Sequence, residues 1–117
     1  MSVHITHLDL LYMDLPGAIG AYLVRDEQGT AVLIEAGPAN TIAHLEQALA
    51  AHSMCIEDLD ACCITHIHLD HAGAAGVLAQ RGVPIHVHAF GMQHLVDPSK
   101  LLASAKRIYG AGMQTLW

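Results

Sequence analysis

The segment THIHLDHAG, residues 65–73, places three histidines and an aspartate within six consecutive positions. It follows a short apolar run, residues 61–65 (ACCIT), and precedes a stretch of small residues that favour a helix, residues 72–80. The first stretch is typical of a buried strand and the second of a helix packed on a sheet. A chain of this kind must therefore place its polar cluster on a strand-to-helix turn, just beyond the carboxyl end of a strand.

The spacing of the cluster predicts which side chains meet. In an extended segment, residues two apart point the same way, so we expect His66, His68 and Asp70 to converge on one side. His71 is expected to turn away as the helix begins. Imidazole and carboxylate bind zinc, iron or manganese, and two adjacent sets, one of two histidines and one of aspartate plus histidine, suit two nearby metals. Such a pair can hold a bridging hydroxide and polarise a carbonyl or phosphoryl oxygen.

The rest of the chain alternates strands and helices. A β-branched and aromatic run, a turn and a second run, AVLI, predict a hairpin whose second strand is covered on both faces. Apolar residues at helical spacing predict a helix over residues 41–52, and Asp97-Pro98 is a plausible start for another. The class is therefore α/β with an N-terminal hairpin. The expected elements are strands at 19–25, 30–35, 61–65 and 83–89, and helices at 41–52, 72–80 and 98–109.

The remaining histidines predict no second metal site. His86 and His88 form another HxH pair and would share one face of a strand, but no carboxylate lies nearby in the sequence. The others are scattered, and we interpret them as ordinary surface or partly buried residues. They are His4, His7, His44, His52 and His94.

Composition limits the partners of the chain. At 117 residues it forms one domain at most, residues 1–117. A net charge of −6 with only five lysines and arginines supplies no basic stripe for phosphates, so nucleic acid is excluded as a partner. The chain is 53% hydrophobic and only 14% charged, which predicts an uncovered apolar surface.

Three cysteines without metal-pair spacing indicate neither a disulfide framework nor a zinc knuckle. The first residues, MSVHITHLDL, have no basic segment followed by an apolar one, and no apolar run approaches about 18 residues. We therefore expect a cytoplasmic protein that does not bind a membrane.

The segment THIHLDHAG resembles the HxHxDH signature of the metallo-β-lactamase superfamily. The order around it is also similar, with a hairpin that ends in Glu35-Ala36-Gly37-Pro38, then a helix, a buried strand, the signature and a small-residue helix. The resemblance covers about residues 17–96, and residues 94–110 are similar to hydrolase-like members. It implies the first half of a four-layer αββα sandwich, with the metals at one edge between its two halves.

The resemblance also implies roles for the cluster. His66 and His68 would bind a first metal, and Asp70 and His71 a second, with zinc expected and iron or manganese possible. Asp70 would also help to hold and deprotonate the attacking water. The implied reaction is the attack of metal-bound hydroxide on a thioester, a lactone or another ester-like carbonyl of a small molecule. Some members instead oxidise persulfides with a single iron, and this alternative stays open.

Two features depart from the family pattern. The family commonly has an aspartate before the glycine that follows the hairpin, whereas here Ala36 separates Glu35 from Gly37. The family's remaining ligands, a third histidine for the first metal, a bridging aspartate and a last histidine, come from sequence beyond the length of this chain. We therefore interpret residues 1–117 as a truncated N-terminal half and expect little or no turnover from it alone.

The same comparison leaves a second function open. One sheet of a half-sandwich lacks the sheet against which it packs, so an apolar face must be covered by a second copy or by the C-terminal half. The chain can then be a non-catalytic metal-binding or assembly module whose site is completed across a dimer. In that case His86, His88 or His94 could supply the missing ligand.

Overall fold

The computed structural model describes residues 2–97 and 99–112 of the chain. Within them, five strands form a single sheet in the order β1-β2-β3-β4-β5. The strands are β1 Val3–Asp9, β2 Gly20–Asp26, β3 Ala31–Ile34, β4 Ala61–Cys63 and β5 Ile85–His86. The first three strands pair antiparallel, whereas β3, β4 and β5 pair parallel. The predicted α/β class is confirmed.

The N-terminal hairpin is confirmed as β2 and β3, but the sheet begins one strand earlier than predicted. All seven residues of β1 pair with β2, from Val3 opposite Asp26 to Asp9 opposite Gly20. The side chains of Val3 and Ile5 are 53% and 69% exposed. Because the apolar residues of β1 are divided between its two faces, the strand lacks a clear alternation of polar and apolar positions.

Helices follow most of the strands. They are α1 Ile42–Ala50, α2 Leu69–Ala72, α3 Ala75–Gln80, α4 Ala89–Val96 and α5 Ser99–Tyr109. The predicted helices at 41–52 and 98–109 are confirmed as α1 and α5, with Pro98 outside the described residues. Among the helices described, none is long and apolar enough to cross a lipid bilayer.

The helix expected at 72–80 is confirmed as α3 over Ala75–Gln80, but it begins later than predicted because α2 and α3 are separate. The N–H of Ala74 donates to the carbonyl of Gly37 at 2.9 Å instead of to the preceding helical turn. This long-range bond interrupts the series of helical hydrogen bonds at Ala74, and it could not be predicted from the local sequence.

The strand expected at 83–89 is also too long. Only Ile85 and His86 form β5, and His88 is the N-cap of α4, where its Nδ1 accepts the N–H of Phe90 at 3.1 Å. His86 and His88 therefore do not share one face of a strand. Helix α4 was not predicted.

The core lies on one face of the sheet. Alternate strand residues point into it, among them Leu23, Leu33 and Cys62, and α1 supplies Leu45 and Leu49. All five of these side chains have no exposed surface. The hydrophobic residues of the strands thus meet the apolar stripe of α1, as its periodicity predicts.

The opposite face of the sheet is apolar and incompletely covered. One row runs across four strands through Ile5, Val24, Val32 and Ala61. Ile5 is exposed and the other three are half-buried. Strand β3 (AVLI) is therefore fully buried on one face only, and not on both faces as predicted. The uncovered apolar surface that the composition predicts is present.

Candidate metal centre

The carboxyl ends of β3 and β4 lie at the same edge of the sheet because these strands run parallel. Glu35 follows β3 directly, and the segment that contains the histidine cluster follows β4. The two segments are joined by backbone hydrogen bonds. Both Ala36 N–H and Gly37 N–H donate to the carbonyl of His71, at 2.9 and 3.1 Å.

The cluster spans the end of an extended segment and the start of a helix. His66 and His68 precede α2, with His68 as its N-cap at φ −57° and ψ 146°, whereas Asp70 and His71 belong to α2. The three side chains His66, His68 and Asp70 therefore do not lie along one extended segment, although His66 lies beside His68 and His68 shares a cleft with Asp70. The extended backbone ends at His68, so the period of two no longer applies at Asp70.

The three imidazole rings lie together. The ring centroids of His66 and His68 are 4.8 Å apart, and those of His66 and His71 are 4.0 Å apart. His71 thus does not turn away from the cluster. The N–H of His71 donates to the carbonyl of His68 at 2.9 Å, and this tight turn returns the His71 ring towards the strand end.

A buried carboxylate holds the turn from behind. Glu35 Oε1 accepts the backbone N–H of Thr65 at 3.0 Å, and Glu35 Oε2 lies 3.0 Å from Nδ1 of His71. Glu35 adopts φ 74°, a left-handed conformation that is uncommon for residues other than glycine. Its side chain is only 9% exposed. Glu35 thus supports the ligand segment with a carboxylate, although Ala36 separates it from Gly37.

Each ring nitrogen of His71 faces a carboxylate oxygen. When Nδ1 donates to Glu35, Nε2 carries a lone pair, and it lies 3.3 Å from Oδ2 of Asp70. A lone pair and a carboxylate oxygen at this distance repel each other unless a proton or a metal cation lies between them. The Asp70 side chain is 40% exposed, so such a cation is accessible from solvent.

His66 has a similar second contact. Its Nδ1 lies 2.9 Å from the hydroxyl of Thr65, which leaves Nε2 of this ring available to a ligand. Imidazoles that bind metals usually bond through the second ring nitrogen to a carboxylate, carbonyl or other polar group, which fixes their orientation. The contacts of His66 and His71 are of this type.

The described residues do not form a complete metal site. Among residues 2–97 and 99–112, no group of three or more histidine, cysteine, aspartate or glutamate side chains is arranged to hold a metal ion. The rings of His66, His68 and His71 instead lie together, and Asp70 contacts His71. Imidazole and carboxylate fit a divalent transition metal, and two such donors for each ion would be one or two ligands short of a full set.

A cleft adjoins the cluster and opens to solvent. It has a volume of about 350 Å³ and lies between α2 and α5. The lining residues are His68, Leu69, Asp70, Leu101, Ser104, Ala105 and Ile108.

Comparison with models of known protein families identifies the family of this chain. The model of the metallo-β-lactamase superfamily matches residues 15–100. The chain belongs to this superfamily. The match includes the hairpin, α1 and the whole histidine cluster, so the resemblance drawn from the signature is confirmed.

Solved structures of metallo-β-lactamases share the fold. A metallo-β-lactamase family protein from Thermus thermophilus is 22% identical over 92% of this chain and 36% of its own, with a TM-score of 0.63. A mutant of the metallo-β-lactamase from Cronobacter sakazakii is 16% identical over 80% of this chain and 37% of its own, with a TM-score of 0.65. The subclass B3 enzyme BJP-1 of Bradyrhizobium japonicum is 22% identical over 57% of this chain and 25% of its own, with a TM-score of 0.51.

The chain is thus similar to only one part of these superfamily members, between 25% and 37% of their length. The α/β layers described above match the corresponding part of their fold. A comparison with curated protein sequences gave no match.

Two parts of the site were not identified from the sequence. The spacing of Glu35 from Gly37 departs from the family pattern and put its supporting role in doubt, but Glu35 ends a strand parallel to the one that precedes the cluster, and that position gives it the role. The cleft residues of α5 recur at helical spacing, Leu101, Ala105 and Ile108, which is also the pattern of ordinary core packing. Sequence alone therefore could not distinguish a helix face that lines a cleft from a helix face that is buried in the core.

Proposed function

We propose that this chain contributes the histidine-cluster half of a metal-dependent hydrolase site that acts on a small molecule with an ester-like carbonyl. Superfamily membership supports the general class. The observation that carries the proposal is the pair formed by His71 Nε2 and Asp70 Oδ2, 3.3 Å apart and held from behind by Glu35.

The residues that would hold metal are the four of the cluster. His66 and His68 would bind one ion and Asp70 and His71 the other, with zinc as the expected metal. A bound divalent ion supplies Lewis acidity, which lowers the pKa of water and stabilises negative charge on a carbonyl oxygen. Metallo-β-lactamase family proteins bind divalent metals, which supports this choice.

The residues of the chain itself would then perform three tasks. The exposed Asp70 carboxylate would orient the attacking water and accept its proton. Glu35 would fix the His71 ring and favour the tautomer with its proton on Nδ1. The hydroxyl of Thr65 would orient the His66 ring in the same manner.

A second candidate, a metal-binding or assembly module completed by another chain, is favoured by two observations. No three donors within the described residues are arranged around one point. The sheet face that carries Ile5 and Tyr22 is also exposed, at 69% and 46% for these two side chains. A partner that covers this face could bring further ligands to the same edge.

The first experiment is the metal content of the purified chain after dialysis against metal-free buffer, measured by inductively coupled plasma mass spectrometry. The chain is loaded with zinc beforehand and compared with His68→Ala and with His4→Ala. His4 is an exposed histidine on β1 and serves as the matched control. We expect His68→Ala to lower the zinc retained and His4→Ala to leave it unchanged.

Hydrolysis is measured on the same samples with a thioester of N-acetylcysteamine, by the thiol released. We expect little turnover from the chain alone, and any turnover should disappear with chelator and with His68→Ala. Turnover that resists both treatments would contradict the proposed site. Zinc retained equally by all three proteins would place the metal elsewhere, whereas retention in a dimer without turnover would support the assembly module.

A further inference from the structure

The cleft beside the cluster has one polar wall and one apolar wall. His68 and Asp70 form the polar wall, and α5 forms the other with Leu101, Ala105 and Ile108. These three residues recur at i, i+4 and i+7, so they lie on one face of the helix. The apolar wall therefore faces the residues proposed to act on a substrate.

The side chains that line the cleft offer no lysine or arginine to pair with an anionic ligand. Among the described residues that line it, the only permanent charge is the negative one of Asp70. The basic residues of α5, Lys100, Lys106 and Arg107, are exposed and lie outside the lining. Arg107 approaches it only through a 3.2 Å hydrogen bond to the hydroxyl of Ser104.

The size of the cleft suits a small ligand. Its volume of about 350 Å³ lies in the range of small-molecule pockets, which are mostly apolar with a few polar groups that fix orientation. Leu69 adds a further apolar side chain next to the two polar site residues. An extended aliphatic chain can thus contact α5 while its polar end reaches the cluster.

We propose that this cleft binds an uncharged aliphatic acyl chain, with the carbonyl group directed to His68 and Asp70. The inference rests on the proposed hydrolase function and narrows its substrates to acyl thioesters, esters or lactones with an apolar chain. Ile108, at 75% exposed, and Leu101 are then specificity-determining residues. Binding of the acyl chain in this cleft requires neither a metal ion nor catalytic turnover.

The test uses butanamide, hexanamide and octanamide, which carry the carbonyl group and are not readily hydrolysed. Each is titrated into the full 117-residue chain in the presence of EDTA, and methyl NMR signals of the leucines and isoleucines are followed. We expect affinity to rise roughly fourfold for each methylene group until the cleft is filled. The shifts should be largest for Leu69, Leu101 and Ile108.

The matched variants are Ile108→Asp and Val96→Asp. Both positions are exposed apolar residues on helices, at 75% and 82%, so neither change disturbs the core. We expect Ile108→Asp to weaken octanamide binding by about tenfold, because a carboxylate beside the aliphatic chain must be desolvated. Val96→Asp should leave the affinity unchanged.

Any of three results would overturn the proposal. The three amides could bind with equal affinity, the two variants could change the affinity equally, or the shifts of the methyl NMR signals could be centred on Ile5 of the sheet. Its failure is distinct from that of the proposed function. If metal-dependent hydrolysis is present but the amides do not bind in this cleft, only the acyl-chain inference fails. If the amides bind but zinc retention and hydrolysis do not depend on His68, the hydrolase proposal fails, whereas the binding of an acyl chain in this cleft is supported.

Discussion

Oε2 of Glu35 lies 3.0 Å from Nδ1 of His71, while its other carboxylate oxygen accepts the N–H of Thr65 at 3.0 Å. One buried side chain at the end of β3 thus contacts both the start and the end of the segment that carries the histidines. Removal of a carboxylate that orients a metal-binding imidazole typically lowers metal affinity.

We therefore expect Glu35→Gln to weaken zinc binding by about 10–100-fold. The neutral amide still accepts the N–H of Thr65 but no longer favours the proton on Nδ1 of His71 by charge. The affinity is measured by competition with a chromogenic chelator. Glu27→Gln, in the exposed turn of the hairpin, is the control. Equal affinities for the two variants would show that Glu35 is only a structural residue.

The sequence predicted the elements whose local signal and tertiary environment agree. The hairpin of β2 and β3 and helix α1 have clear periodicities, and the burial of Leu45 and Leu49 follows from them. β1 and α4 were missed because their signals are weak. In α4, exposed apolar residues such as Phe90 and Val96 leave no clear apolar stripe.

The site was predictable in its residue types but not in its geometry. The spacing singled out His66, His68, Asp70 and His71 as candidate donors, and the structure places them close together. The extended backbone ends at His68, whose carbonyl accepts the N–H of His71, and the segment that follows β3 adds hydrogen bonds to His71. Because that segment is distant in sequence, the position of the His71 ring beside His66 could not be predicted from local spacing.

Position 73 fits a glycine because a Cβ there would clash with α2 itself and press on the segment after β3. A Cβ built on Gly73 would lie 2.5 Å from the carbonyl oxygen of Leu69 and 3.2 Å from Cα of Pro38. Since both neighbours are backbone atoms, Gly73→Ala should destabilise the chain by about 1–3 kcal/mol.

Gly76 in α3 is the matched control, because a Cβ there meets nothing within 4 Å. Gly76→Ala is expected to stabilise by up to about 1 kcal/mol, since alanine favours a helix over glycine. Urea unfolding of both variants measures the two free energies. A stabilising effect of Gly73→Ala would mean that α2 and the Pro38 turn do not approach as described.

The buried cysteine of β4 should be unreactive. Burial raises the pKa of the Cys62 thiol to about 12, and Cys63 and Glu35 contribute further. Alkylation requires the thiolate, so iodoacetamide should label Cys62 only after the chain unfolds. Cys55 is the comparison because it is exposed, although a hydrogen bond to Asp58 also raises the pKa of its thiol.

The labelling is done first on the folded chain and then, with an isotopically distinct reagent, in denaturant. Peptide mass spectrometry assigns each label to its cysteine. We expect the first label on Cys55 and the second on Cys62. Labelling of Cys62 in the folded chain as fast as Cys55 would show that Cys62 is not buried in the core.

Acid should weaken the loop between β1 and β2 through Asp9. Its carboxylate accepts the N–H groups of Gly17 at 2.8 Å and Leu11 at 3.1 Å. The two hydrogen bonds hold the pKa of the Asp9 carboxyl below its usual value, with the bond from Gly17 as the largest cause. Because the folded pKa is lowered, the stabilisation is complete above the unfolded value of about 3.9 and is lost as pH falls through the folded value.

Asp9→Asn separates this contribution from other acid effects. The amide keeps one acceptor oxygen but cannot be protonated in this range, so the stability of the variant should fall less steeply with acid. The free energy of unfolding is measured by urea titration from neutral pH to below about 3, with Glu27→Gln as the control. The difference between wild type and Asp9→Asn should shrink as the pH falls. A difference that stays constant would mean that the hydrogen bonds of Asp9 do not depend on its charge.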